Sequence, residues 1–245
     1  MKLRSSFPIS HSIPNCLEGF FWDSIYTCLL SQQPVLEIPS LDAEVNMQIP
    51  KLNFQVHFKT LLISARSYLN LHASVDRGSS DRPKQYIPNL NTISTLCDRL
   101  AVESVKASHI VTRHYTDKPV ELEKDKFQLQ FVIFVEIGKA LIATIAQILS
   151  EGSYHFVSEY RTFDMVKRDF AGGGIAHLYK ELCCANRLTG IYDYSRMELS
   201  KSSLVEISLE AFVQTELNSR YYVERRGSLR TEIDEAVVTY LQLNE

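Results

Sequence analysis

The feature that most constrains the fold of this chain is where its prolines lie. All eight occur in the first half of the sequence, and none follows Pro119. Proline removes a backbone N–H donor and clashes with the preceding helical turn, so the second half is free to form long helices. Apolar residues recur at helical spacing in 174–188, 203–217 and 228–243. We therefore predict a mainly α fold, a helical bundle.

Two segments of the chain show a strand-like alternation. LNFQVHF at 52–58 alternates apolar and polar residues, and the prediction therefore allows a minor strand element near residues 44–58. FQLQFVIFVEI at 127–137 alternates as well, but its apolar run continues without proline to residue 149. We predict a helix there. Because charged residues interrupt this run, we interpret it as part of a core and expect no membrane association.

The chain divides by composition into two parts. Residues 1–51 form an extended N-terminal arm with one helix, and residues 52–245 form a helical domain with a loop at 74–89 and a hinge at 168–174. The arm is rich in proline and carries aromatic residues, among them Phe7, Phe20, Phe21 and Trp22. Segments of this kind often become ordered on another protein, which makes the arm a candidate for partner binding.

Composition excludes several classes of protein. The net charge is −3, so any nucleic-acid binding would need a local basic patch. Five cysteines without regular spacing argue against a secreted disulfide framework, and no zinc-type pairing of cysteine with histidine occurs. We predict a cytoplasmic protein with reduced thiols, no metal and no cofactor.

SARSYLNLH at 64–72 holds an arginine and a histidine six positions apart, Arg66 and His72. This spacing resembles the arginine–histidine signature of the HEPN-family ribonucleases. The resemblance implies a phosphate-contacting role for Arg66 and a general acid–base role for His72 at the ribose 2′-hydroxyl. On a straight helix the two side chains point about 120° apart. A surface arginine and a histidine at the core edge are the alternative interpretation.

The densest basic patch is RYYVERRGSLR at 220–230. Its candidate nucleic-acid-binding residues are Arg220, Tyr222, Arg225, Arg226 and Arg230. Arginines interleaved with tyrosines grip phosphates and stack on bases. They equally dock on an acidic partner or pack in a helix bundle, and the sequence leaves these alternatives open.

A second candidate for phosphate contact is the predicted helix 92–115. Arg99, Lys106 and Arg113 follow each other one heptad apart along it, as a row that tracks a phosphate backbone would. Glu103 lies between two of these cations, however. That pattern favours a solvated, ion-paired face.

These features predict a non-enzymatic helical subunit or adaptor that acts by protein–protein contact. A protein partner or self-association is expected, and binding of RNA or DNA through the 220–230 patch stays open. One alternative is a metal-independent HEPN-like ribonuclease that uses Arg66 and His72. Another is a structural protein that self-assembles through residues 1–14.

Overall fold

The computed structural model describes residues 3–7, 9, 15–31, 45–46, 52–76, 92–116, 121–151, 174–201 and 209–242. Its helices are α1 (Leu3–Ser6), α2 (Asn15–Leu30), α3 (Phe54–Asp76), α4 (Ile93–Thr116), α5 (Glu121–Glu151), α6 (Ile175–Lys201) and α7 (Leu209–Gln242). No strand occurs among these residues. The predicted mainly α helical bundle is confirmed.

Side-chain caps determine where two of the helices begin. The Asn53 Oδ1 atom accepts a hydrogen bond from the Val56 N–H at 3.2 Å, and the Thr92 Oγ1 atom accepts one from the Thr95 N–H at 3.1 Å. Each bond satisfies one of the backbone donors that a helix leaves unpaired in its first turn. The caps therefore favour a helix start at α3 and at α4.

The strand that alternation allowed near residues 44–58 is not formed in its described part, because Phe54 to Phe58 belong to α3. Phe54, Leu61 and Ala65 are buried along one side of this helix, at a spacing that fits 3.6 residues per turn. Seven residues were too few to separate this pattern from a period of two.

Helix α2 lies at the centre of the core. Its buried apolar side chains are Leu17, Phe20, Phe21, Trp22, Ile25, Tyr26, Cys28 and Leu29. The Phe20 ring lies 5.6 Å from the ring of Phe134 on α5 and 4.9 Å from that of Tyr179 on α6, measured between centroids. Such pairs contribute about 0.5–1.5 kcal/mol each beyond their buried area. Helix α2 therefore joins α5 and α6 in one core.

The structure corrects the interpretation of the N-terminal aromatics as residues that await a partner. Phe7, Phe20, Phe21 and Trp22 are all buried within the chain. The Phe7 ring packs at 4.6 Å from that of Phe127 on α5, between centroids. These side chains therefore form part of the chain's own core. The division of the chain at residue 51 stays a prediction.

Helix α5 confirms the helix predicted at 127–137. Phe127, Phe131 and Phe134 occupy its buried side and pack on α2. By length and composition alone, Glu123–Ser150 is apolar enough to cross a membrane, and it is the one such helix in the described part of the chain. The core helix of a bundle has the same composition. The three phenylalanines of α5 pack on α2 and do not face the outside of the bundle.

Helices α6 and α7 pair along their lengths, and α7 also packs on α4. The buried side chains of α7 are concentrated beyond residue 228, namely Leu229, Ile233, Asp234, Ala236 and Val237. Between residues 210 and 224 only Ser219 is buried. The first half of α7 and the second half of α6 thus extend from the core as a helical hairpin.

The predicted loop and hinge fall largely outside the described residues. Residues 74–76 of the predicted loop continue α3, and 77–89 are not described. Of the hinge, Gly174 alone is described. Its carbonyl accepts the N–H of His177 at 2.8 Å, immediately before α6.

Candidate functional site

The arginines of the 220–230 patch point mainly into the protein. Arg225 donates from Nη1 to Glu232 at 2.7 Å and from Nη2 to Glu181 on α6. Arg230 donates to the Thr95 hydroxyl at 3.0 Å. These bonds fix α7 against α6 and α4, so these guanidinium groups serve the packing of the bundle.

Arg226 makes a bidentate attachment to α4. Its Nε and Nη2 atoms donate to the two carboxylate oxygens of Asp98 at 2.8 and 2.5 Å. The same carboxylate accepts a bond from Asn186 Nδ2 on α6 at 2.9 Å. The hydrogen bonds that Arg226 donates to the Asp98 carboxylate raise the pKa of Arg226 further. One buried carboxylate thus joins α4, α6 and α7.

The remaining patch residues, Arg220 and Tyr222, lie on the hairpin. Arg220 is exposed and lies 3.4 Å from Glu216 one turn earlier. Tyr222 stacks on Tyr192 of α6, with centroids 5.6 Å apart. The structure therefore does not bring the five predicted residues together as one exposed cationic surface.

The three cations predicted along α4 also differ in their surroundings. Arg99 is exposed, Lys106 pairs with Glu103 at 2.7 Å, and Arg113 lies 3.8 Å from Glu123 of α5. Two of the three are thus next to a carboxylate. An ion-paired surface accounts for this arrangement.

Arg66 and His72 both lie on α3, where helix geometry separates their directions by about 120°. Arg66 is exposed and makes no ion pair with any described residue. The side chain of His72 lies outside the described part of the structure. The helix does not itself bring the two together as a catalytic pair.

A buried arginine on α6 is a feature that sequence reasoning missed. Arg187 donates from Nη1 to Nε2 of His109 on α4. Arginine has no acceptor, so His109 accepts as a neutral imidazole with its proton on Nδ1. Desolvation, and then the charge of Arg187, lower the pKa of His109 to about 4. Burial lowers the pKa of Arg187 to about 10. No sequence spacing marks this pair.

A second polar cluster joins α2 to the start of α3. Asp23 Oδ2 lies 2.7 Å from His57 Nε2 and accepts the Asn53 N–H at 3.1 Å. The nearby Ser24 hydroxyl donates to the Phe20 carbonyl at 2.8 Å and is not bonded to the histidine. The cluster is therefore a fastening between helices. Among the described residues no group of three histidine, cysteine or acidic side chains could hold a metal.

The helical hairpin also carries an exposed apolar surface, which the periodicity of the sequence did not predict. Val213, Leu217 and Tyr221, here called the α7 stripe, follow each other at i, i+4 and i+8 on α7. They are exposed to 45%, 55% and 59%. Residues at this spacing share one side of a helix. A row of large, exposed apolar side chains is typical of an interaction surface.

The α7 stripe faces away from α6. On the opposite side of α7, the Ser219 hydroxyl donates to Asp193 at 2.7 Å and Glu216 lies 3.6 Å from Arg196. Each of those residues differs from Leu217 by about 100° or more around the helix axis. Glu210 and Glu224 lie at the two ends of the stripe, and neither forms an ion pair with a described residue.

The comparisons with known proteins give no relative from which a role could be transferred. No protein-family model matches the chain, and neither the curated proteins nor the solved structures contain a significant match. The geometry of the described residues is therefore the basis for the functional argument.

Proposed function

We propose that the protein is a helical subunit or adaptor that acts by protein–protein contact through the hairpin of α6 and α7. The observation that carries this proposal is the α7 stripe, three large apolar side chains in line on a helix whose other side already packs on α6. A helix that presents anchors at i, i+4 and i+8 is a common means of protein recognition.

The composition of the hairpin supports a protein partner. Tyr194 and Met197 on α6 are also exposed, so apolar and aromatic surface continues across the hairpin. Tyrosine and methionine are enriched in protein interfaces.

Nucleic acid is less well supported as the partner. Arg225, Arg226 and Arg230 of the patch are bonded within the chain, and Arg220 is next to Glu216. Backbone binding needs cations that can neutralise phosphates. The apolar stripe, ended by carboxylates, fits a protein surface better.

The experiment is site-specific photocrosslinking in cells that produce the protein. A photoreactive phenylalanine analogue replaces Leu217 on the stripe or, as a matched control, Leu129 on α5, whose exposure of 56% nearly equals the 55% of Leu217. We expect a discrete protein adduct from position 217 and none of comparable yield from position 129.

The adduct is then identified by mass spectrometry, and its protein component is purified for binding measurements. Leu217→Asp should weaken that binding at least tenfold, because it places a charge in the centre of the contact. Leu129→Asp should leave the affinity unchanged. Equal crosslinking from both positions, or equal effects of both substitutions, would overturn the proposal.

A further inference from the structure

The outer side of α3 resembles the α7 stripe in pattern. Val56 and Ile63 are exposed to 51% and 62% and lie two turns apart, hence on one side of the helix. Lys59 and Arg66 lie along the same side. We call these four residues the α3 face.

The α3 face is basic, with its charges uncompensated. Helix α3 holds no acidic residue before Asp76, at its last position. Lys59 and Arg66 are exposed, and neither pairs with an acid among the described residues. Two apolar side chains and two available cations therefore share one helical surface.

We propose, as an extension of the proposed function, that the α7 stripe of one copy binds the α3 face of a second copy. Leu217 and its neighbours would pack on Val56 and Ile63. Lys59 and Arg66 would approach the carboxylates at the ends of the stripe. The apolar parts supply burial, and the charges supply orientation and selectivity.

The spacing of the charges permits this contact. Lys59 and Arg66 are separated by seven residues, which is about 10 Å along a helix. Leu217 lies seven residues from Glu210 and seven from Glu224, about 10 Å to either side, so the two glutamates are about 21 Å apart and each cation must reach roughly 5 Å beyond its own position along the helix. With Ile63 placed on Leu217, the long side chains of the two cations extend toward opposite ends of the stripe.

The two symmetric pairings are disfavoured by charge. Two α7 stripes packed antiparallel about Leu217 place Glu210 opposite Glu224, and packed in parallel they place each glutamate opposite itself. Two α3 faces packed on each other would bring only positive charges together, those of Lys59 and Arg66. Like charges at a contact cost free energy and exclude pairings. Of these three pairings, only α3 with α7 brings Lys59 and Arg66 toward Glu210 and Glu224.

The contact must form between copies. Within a chain, α3 packs on α2, α5 and α6, whereas α7 packs on α6 and α4. The α3 face and the α7 stripe are both on the outside of the bundle. A contact between two different surfaces is heterologous, and it extends to rings or filaments unless a two-fold arrangement forms it twice.

The test uses charge reversal in the purified full chain, read by sedimentation velocity from about 1 to about 500 μM, since small interfaces are weak. One variant carries Glu210→Lys with Glu224→Lys, and the other carries Lys59→Glu with Arg66→Glu. We expect the wild type to associate and each variant alone to be monomeric. An equimolar mixture of the two variants should associate again, because each supplies the surface complementary to the other.

Two controls define the result. The chain with all four reversals should associate with itself, and Lys139→Glu, on the exposed side of α5, should behave as the wild type. A wild type that stays monomeric throughout overturns the inference. So does association that both reversals leave unchanged, or a mixture that stays monomeric although the wild type associates.

Failure of this inference is distinguishable from failure of the proposed function. If the wild type is monomeric while position 217 crosslinks to a different protein, the second copy is the wrong occupant and the adaptor role stands. If position 217 also crosslinks no better than position 129, both fail. A crosslinked product that contains peptides of α3 from a second copy supports both.

Discussion

Arg226 on α7 donates two hydrogen bonds to the carboxylate of Asp98 on α4, at 2.8 and 2.5 Å. Asp98 is buried and also accepts a bond from Asn186. A carboxylate in that position requires compensation of its charge, because desolvation of an unpaired ion costs several kcal/mol. Arg226, which the sequence offered as one candidate contact to nucleic acid, therefore holds the base of the hairpin to the core.

Replacing Arg226 should consequently destabilise the fold. Arg226→Met leaves the Asp98 carboxylate buried without its bidentate donor, and we expect a loss of about 2 kcal/mol in the free energy of unfolding. Urea denaturation measures this loss. Arg220→Met is the matched control in the same patch, exposed and next to Glu216, and should change stability by less than about 0.5 kcal/mol. Equal effects of the two substitutions would contradict the assignment.

Two glycines within helices should respond oppositely to alanine. A Cβ atom on Gly138 of α5 would lie 2.7 Å from Cδ2 of Leu17, which is buried in α2, whereas a Cβ atom on Gly190 of α6 would meet no atom within 4 Å. Gly138→Ala should therefore cost about 1–3 kcal/mol through overpacking, despite the better helix propensity of alanine.

Gly190→Ala should stabilise the protein by up to about 1 kcal/mol, because alanine restricts the unfolded chain and favours the helix. Thermal unfolding of the two variants beside the wild type gives the sign of each change. A stabilising Gly138→Ala would mean that α2 does not approach α5 as closely as the structure has it.

The neutral state of His109 gives a dependence of stability on pH. The pKa is about 4 in the folded protein, and an unfolded histidine has a pKa of about 6.5. Between these values the unfolded chain binds a proton that the folded chain does not. Stability is therefore complete above the unfolded pKa and decreases as the pH falls through this window.

The imidazole is partly exposed, so we expect a contribution of about 1 kcal/mol, well below the full linkage value. The substitution His109→Gln keeps an acceptor for Arg187. Between pH 7 and about pH 4.5, the free energy of unfolding of this variant should fall by about 1 kcal/mol less than that of the wild type. An NMR titration that places the His109 pKa near 6.5 would show that neither burial nor Arg187 holds the imidazole neutral.

Much of the fold could be predicted from the sequence, because proline placement and apolar spacing act locally. The long helices after Pro119 and the helix at 127–137 follow from these two rules. The alternation in 52–58 misled because a strand would place Phe54 and Val56 on the same buried face, whereas on α3 Phe54 is buried and Val56 is exposed.

The roles of the charged residues could not be predicted, because their partners are distant in sequence. Arg226 donates to Asp98, which is 128 residues away in the sequence, and Arg225 donates to Glu181, which is 44 residues away. Composition likewise indicated that the aromatics of the N-terminal region were available to a partner. Whether Phe20 is exposed depends on where α5 and α6 pack, which no local pattern reports.

If the chain acts through the α7 stripe, Leu217 is covered by protein when the chain does its work. Cysteine placed at position 217 or at position 129 allows a direct measurement of the rate of maleimide modification, read site by site by mass spectrometry. The rates are compared between dilute purified protein and intact cells that produce it. Most native cysteines that the structure describes, Cys28, Cys97 and Cys183, are buried.

In dilute solution the two positions should react at similar rates, because Leu217 and Leu129 are exposed to 55% and 56%. In cells, the rate at position 217 relative to that at position 129 should fall at least tenfold, since a contact at the centre of the α7 stripe shields it. If the ratio of the two rates is the same in cells as in dilute solution, the α7 stripe is not a contact surface, and the proposed function is wrong.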